Sequence, residues 1–301
     1  MELEFIERLR GESGMELLGD DAAVFCGKVF TVDMLTEGVD FILSEVDPEL
    51  VGRKSIAVNL SDIAAMGAIP EAVLIAVSLP RNNSHSNLNL AEKLYAGMKP
   101  LLKKYNVKII GGDTNCWDNG LVIAVTAIGS VLPKGVFKRN NAKENDAILV
   151  TGELGGSILQ HHFLFEPRIA EAIYLNENHS IHAAIDISDG LAIDLFRVAK
   201  ESKLGAIIDA DKIPIAKDAI ICSQNSGLTP LEHALSDGED FELILAVQEN
   251  EAQKLIQSQP LLNRFGTKLF QIGKFTQNQN MLIKNKNGTI NKLEPKGYEH
   301  K

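Results

Sequence analysis

The apolar residues of this chain recur at two periods, and the points where one period gives way to the other mark out its elements. The run "KVFTVDML" (28–35) reads as a strand. After a loop, Asp47-Pro48 supplies a capping side chain and a first-turn proline for a helix over roughly 48–66, which Gly67 ends. Val51, Ile56, Leu60, Ile63 and Ala64 fall at helical spacing within it, and Asp62 lies near its end. "AVLIAVSL" (72–79) predicts a second strand and "LNLAEKLYAGMKPLLKKY" (88–105) a second helix. "VKII" (107–110) predicts a third strand and "LVIAVTAIGSV" (121–131) a fourth.

The stretch "LPKGVFKRNNAKEND" (132–146) turns polar and basic and is the expected junction between two domains, 1–133 and 134–301. Beyond it the rhythm restarts: strand "AILVTG", glycine loop "GELGGS", a short helix, strand "AAIDI", helix "GLAIDLFRVAKES" and strand "GAIIDA", and later "DFELILAV" and "LFQIGKF". The Asn-rich "TQNQNMLIKNKNGTINK" predicts a hairpin tipped by Asn287-Gly288. Strands alternating with helices place the chain in the α/β class, with α+β-type layers and a mixed sheet covered by helices in each domain.

Charge narrows the partners. Thirty Lys and Arg against 40 Asp and Glu leave a formal charge of -10, which repels a nucleic-acid backbone unless a basic face is segregated, and no such cluster stands out. A small molecule is the expected partner, and an anionic one needs metal cations or a few well-placed Lys and Arg residues. Cys26, Cys116 and Cys222 are far apart with no C-x-x-C pair, so neither a disulfide framework nor a zinc site is expected and a reducing cytoplasm fits. The amino-terminal "MELEFIERLRGESG" is charged from residue 2, unlike a signal peptide, and "AVLIAVSL" is too short to span a bilayer. A soluble cytoplasmic protein is the expectation, with no membrane partner.

The candidate chemistry lies in acidic turns. "GDD" (19–21), "GGD" (111–113), "DISDG" (186–190) and "SDGED" (236–240) each set Asp beside Gly, and Asp33 and Asp62 join them. Each alone reads equally well as a turn or a cap. Together they fall mostly at strand ends, where open α/β sheets bind ligands. Carboxylates gathered there repel one another unless cations lie between them. Magnesium takes oxygen ligands and joins carboxylates to substrate phosphates, so the pattern points to a multi-magnesium phosphate site. There is no G-x-x-x-x-G-K-[ST] loop and no G-x-S-x-G elbow. His161-His162 reads as surface or packing, and "GELGGS" stays open between a phosphate cradle and a plain tight turn.

In order along the chain, "GDDAAVF", "TVDMLTEGVDF", "VNLSDIAAMGAIP", "GGDTN", "DISDGLAIDL", "GEDFEL" and "KGYEH" resemble the thiamine-monophosphate kinases of the aminoimidazole-ribonucleotide synthetase superfamily. The resemblance covers nearly the whole chain. It implies an amino-terminal α/β domain whose sheet pairs with that of a second subunit in a homodimer, a carboxy-terminal α/β domain, and an active site between them. It further implies that Asp21, Asp33, Asp62, Asp113 and Asp186 hold several Mg2+ ions, with Asp189 binding a further ion and Val32 contributing a backbone oxygen. Gly112, Asp113, Arg139 and Ser188 match ATP-binding positions, and Glu239 and Tyr298 match positions that contact thiamine monophosphate. No catalytic side chain is expected, because the attacking phosphate oxygen is largely deprotonated near neutral pH.

Two departures bear on the acceptor. Asp40 stands in "EGVDF" where the family pattern has His, placing an acid on the substrate side, and the segment after "GELGGS" is shortened to "ILQHHFL". The alternatives are another ATP-dependent member of the superfamily with a different acceptor, and a catalytically silent nucleotide-binding subunit.

Overall fold

The computed structural model describes residues 5, 8–10, 18–81 and 87–298. Most of the amino-terminal "MELEFIERLRGESG" and the last two residues of "KGYEH" lie outside the described residues. The amino-terminal sheet has five strands, β1 (Ala23–Phe25), β2 (Lys28–Thr36), β3 (Ile69–Pro80), β4 (Lys108–Trp117) and β5 (Val122–Ser130), in the order β1-β2-β5-β3-β4. Only β3 and β4 pair in parallel; the other pairs are antiparallel. Alternation along β2 sorts its side chains by face. Val29, Thr31 and Leu35 are buried on the helix-covered face, whereas Val32 and Met34 are 64% and 62% exposed on the other.

Two helices cover that sheet, α1 (Pro48–Ala65) and α2 (Asn87–Lys104). The Asp47 carboxylate accepts from the Glu49 amide at 3.1 Å and caps α1, as the Asp-Pro pair predicts. Most of α1 is buried all round, because β2 and β5, α2 and the carboxy-terminal domain each pack on a different side of it. It meets α2 at paired glycines: a Cβ on Gly52 would sit 2.0 Å from the Leu94 carbonyl oxygen, and one on Gly97 would sit 1.7 Å from that of Glu49.

The carboxy-terminal half holds a seven-stranded mixed sheet of β6 (Ala147–Thr151), β7 (Ile181–Asp186), β8 (Gly205–Asp209), β9 (Leu243–Val247), β10 (Leu269–Thr276), β11 (Met281–Lys284) and β12 (Ile290–Lys292). Their order is β12-β11-β8-β10-β6-β9-β7, and β11 and β12 form the expected hairpin. Its helices are α3 (His161–Leu164), α4 (Ile169–Asn178), α5 (Leu191–Glu201), α6 (Lys217–Ser226), α7 (Pro230–Ser236), α8 (Glu249–Ser258) and α9 (Pro260–Phe265). The α1 helix touches α3, α4 and β7, so one apolar core runs through both halves. The short strand β1 and the helices α6 to α9 were not expected, and two expected strands differ in extent. The third strand does not stop at Ile110 but runs on through "GGDTNCW", and the first residues of "DFELILAV" form a loop before β9.

Replacing Gly52 or Gly97 by Ala is expected to destabilise the protein. Helix propensity alone favours Ala by about 1 kcal/mol. The backbone clash forces α1 and α2 apart and costs about 1–3 kcal/mol of overpacking, which wins. A lower urea midpoint at unchanged slope checks this; an equal or higher midpoint rejects it.

Candidate active site

Where the two sheets approach each other, three elements deliver carboxylates to one point. Asp21 precedes β1, Asp62 lies in the last turn of α1 and Asp186 ends β7; one oxygen from each lies within 4.8 Å of the others. The Thr31 hydroxyl donates to Asp62, and Ser61 Oγ donates to Asp186 Oδ2 at 2.5 Å across the domain boundary. Arg139, in the linker, pairs Nη2 with Asp21 Oδ1 at 2.6 Å, and its amide donates to Asp20 at 2.8 Å. Burial, reinforced by neighbouring carboxylates, holds Asp62 and Asp186 well above the usual carboxylate range. Burial also raises Asp33 to about 6, with Asp40, Asp189 and Asp21 adding repulsion while a hydrogen bond to Asp62 opposes the shift. Such a donor set, all oxygen and compensated at Asp21 by Arg139, fits a hard divalent cation.

A cleft of about 230 Å³ opens over Asp33, Asp62 and Asp186. Its walls include Asp40, Ser188, Asp189, Glu239 and Tyr298, so five further residues singled out in the sequence come together here. Asp40 Oδ2 accepts from the Thr36 amide at 2.7 Å, closing its own loop. Asp189 pairs with Arg197 at 2.6 Å and accepts at its carbonyl from the Tyr298 amide at 2.9 Å, while the Ser188 carbonyl accepts from the Glu239 amide at 2.7 Å.

Gly112 and Asp113 lie elsewhere, on edge strand β4. They help line a separate groove of about 420 Å³ with Tyr95, Gly111 and Thr114. A Cβ on Gly112 would meet the Ile75 carbonyl oxygen at 1.9 Å, so only glycine lets β4 lie this close to β3. Asp113 is in register with Ala76, and through it with Ala124 and Met34, on the sheet face turned away from the helices. It is therefore not part of its own chain's carboxylate trio. Val32 projects its side chain from that same open face. The amides of "GELGGS" are already engaged: Gly155 donates to Asp240 and Gly156 to Asp237, each at 2.8 Å, which makes the loop a tight turn.

Several residues of the site were not singled out from the sequence, although Asp194, Asp237 and Phe241 lie inside its quoted acidic motifs. Asp194 Oδ2 accepts from the amides of Asp189 and Gly190 at 3.0 Å each and so shapes the "SDG" turn. Burial raises its carboxyl to about 7, against the pull of Arg197. Asp237 and Phe241 line the cleft, and Lys54 lies behind its wall. A signal for Lys54 was present, since Lys54, Val58 and Asp62 follow i, i+4, i+8 spacing and share one helix face.

The AIR synthase related protein N-terminal domain signature matches residues 19–131 and the corresponding C-terminal domain signature matches 129–283. The thiamine-monophosphate kinase of Rhodopirellula baltica is 37% identical over 317 residues, covering 100% of this chain and 97% of that protein. The chain belongs to the thiamine-monophosphate kinase family. The Bacillus subtilis member is 33% identical over 94% of this chain and 92% of its own length. The solved structure of AaThiL complexed with AMPPCP and TMP superposes with a TM-score of 0.82 at 26% identity, covering 99% of this chain and 95% of that one. The two-domain fold expected from the motifs is thus the family's fold. Among the described residues, no helix is long and apolar enough to cross a membrane.

The raised carboxylates set a pH dependence. Asp33 and Asp194 titrate near 6 and 7 in the fold but near about 3.9 when unfolded. Between those limits the native state holds more protons, so stability present at low pH is lost as pH rises through about 6 to 7. Metal-free protein is expected to show a falling melting temperature over that window, with a shallower fall in Asp33→Asn. A melting temperature that rises with pH contradicts the raised carboxyls.

Proposed function

We propose that the chain transfers the γ-phosphoryl group of ATP to thiamine monophosphate, forming thiamine diphosphate, with magnesium bound at the carboxylate trio. The observation that carries this reading is that Asp62 and Asp186, from different domains, meet at the floor of one cleft whose walls hold the acceptor positions Glu239 and Tyr298. Asp21, Asp62 and Asp186 would hold the metal, with Asp33 beside them and Asp189 for a further ion. When bound, magnesium supplies the positive charge that offsets the crowded phosphates in the transition state.

The chain's own residues bind and orient. Among the described residues, no His, Lys or Arg lines the cleft. None is needed as a base, since an acceptor phosphate with a pKa of about 6 arrives largely deprotonated. Asp40 would set negative charge near the cationic thiazolium ring of thiamine, so the acid replacing the family His suits this acceptor electrostatically. Tyr298, an exposed aromatic residue lining the cleft, would pack against flat heterocycles. Arg139 fixes Asp21, and the groove at Gly112 and Asp113 is the proposed contact for the nucleotide. The open sheet face bearing Val32, Met34 and Leu74 is the proposed seat of a second subunit.

With ATP, magnesium and thiamine monophosphate, the protein is expected to release thiamine diphosphate and ADP. Asp62→Asn and Asp186→Asn should each lower turnover about a hundredfold or more. Each should leave the metal-free melting temperature unchanged or higher, because carboxylate repulsion is relieved. Absence of product from the wild type rejects the activity, and Asn variants that melt earlier yet turn over normally reject the shared cluster. For the assembly, light scattering should give the mass of a dimer, and Met34→Glu should shift it toward the monomer; a wild-type monomer at micromolar concentration rejects the interface.

A further inference from the structure

Lys54 is fully buried, yet its ammonium group reaches three separate segments. It forms an ion pair with Glu239 of the carboxy-terminal domain. It donates to the Asp40 carbonyl oxygen at 3.2 Å, and it lies 5.3 Å from the centroid of the Phe163 ring in the shortened connector. Two of these partners, Asp40 and Glu239, line the cleft, whereas Lys54 does not. Its neighbour Arg53 acts on the same connector, donating to the carbonyl oxygens of Phe163 at 2.7 Å and Phe165 at 2.5 Å. Phe165 in turn stacks on the cleft residue Phe241, with centroids 4.0 Å apart and planes 17° from parallel.

The loop that Lys54 holds is a strained one. Glu239 and Phe241 have φ of +54° and +51°, a region that non-glycine residues enter at a cost and keep only when surrounding contacts impose it. For Glu239 those contacts are the hydrogen bond its amide donates to the Ser188 carbonyl and the Lys54 ion pair. A buried ammonium also limits where the Glu239 carboxylate can go, because leaving Lys54 would strand a charge away from water.

We propose that Lys54 is a positioning residue for the acceptor: from α1 it fixes the Glu239 carboxylate in the geometry that receives thiamine monophosphate, without touching the acceptor or the nucleotide. This rests on the cleft being the acceptor site of the kinase. A plain structural staple would affect stability alike for every substrate. A positioning residue acting through Glu239 affects the acceptor selectively and loses its effect when Glu239 can no longer pair.

Steady-state kinetics of the full chain with both substrates varied separates these cases, using wild type, Lys54→Met, Lys54→Arg, Glu239→Gln and the Lys54→Met/Glu239→Gln double variant. Lys54→Met is expected to raise KM for thiamine monophosphate about tenfold while KM for ATP stays within about twofold, and Lys54→Arg should recover most of the loss. The double variant should match Glu239→Gln alone. That comparison also serves if Lys54→Met does not fold, because the double variant leaves no buried charge unpaired. An unchanged acceptor KM in Lys54→Met, equal rises in both KM values, or effects of the two substitutions that simply multiply overturn the proposal. A wild type that binds ATP and magnesium but does not turn over thiamine monophosphate removes the acceptor reading itself, and this inference with it.

Discussion

Like charges gathered in a poorly hydrated place are the constraint around which this molecule is arranged. Carboxylate oxygens of Asp21, Asp62 and Asp186 lie within 4.8 Å of one another, a spacing at which two full charges repel by about 3 to 4 kcal/mol at an effective dielectric constant of 20. Such a cluster persists only when protons or cations share it. Arg139 offsets Asp21, and the hydroxyls of Ser61 and Thr31 each satisfy one oxygen of Asp186 and Asp62. The remaining charge makes the site receptive to a divalent cation and hence to phosphates. Because Asp62 lies on α1 of the amino-terminal half and Asp186 ends β7 of the carboxy-terminal sheet, the same electrostatic balance would couple cation binding to the docking of the two halves.

The geometry is delivered chiefly by one helix. A surface helix needs a single apolar stripe, but α1 packs on nearly all sides and assigns a different task to each. Gly52 admits α2 to backbone contact, Arg53 holds the connector, and the Lys54, Val58 and Asp62 face points toward the cleft. Two of its buried polar side chains donate within the helix, Ser55 to the Gly52 carbonyl at 2.8 Å and Asn59 to the Ser55 carbonyl at 3.0 Å. A rigid element of this kind, seated between both sheets, places a carboxylate and a positioning cation two turns apart with little freedom to drift.

The opposite wall of the cleft carries backbone strain. The "SDGED" loop carries the left-handed residues Glu239 and Phe241 and spends the carboxylates of Asp237 and Asp240 on the amides of "GELGGS". A glycine loop that resembles a phosphate cradle is thereby converted into a brace. This wall of the cleft is thus built from the carboxy-terminal domain but tied to the amino-terminal one through Lys54.

The division between local and long-range information is visible residue by residue. The chain's periodicities and caps determined most strands, the α1 helix with its Asp47-Pro48 start, and the Asn287-Gly288 hairpin, because these depend on neighbours within a few positions. Its ordered acidic motifs also determined which carboxylates to watch. What they left open needed pairing over distance. β4 continues through two glycines because parallel pairing with β3 outweighs their weak strand preference, and that same register turns Asp113 to the open sheet face rather than toward Asp33. Only the packed structure decided that Asp21, Asp62 and Asp186 share a point, and that Lys54, charged yet wholly buried, ties Asp40 to Glu239. Contacts between residues more than a hundred positions apart leave no periodic trace in the sequence, since each is created by the docking of two independently patterned sheets.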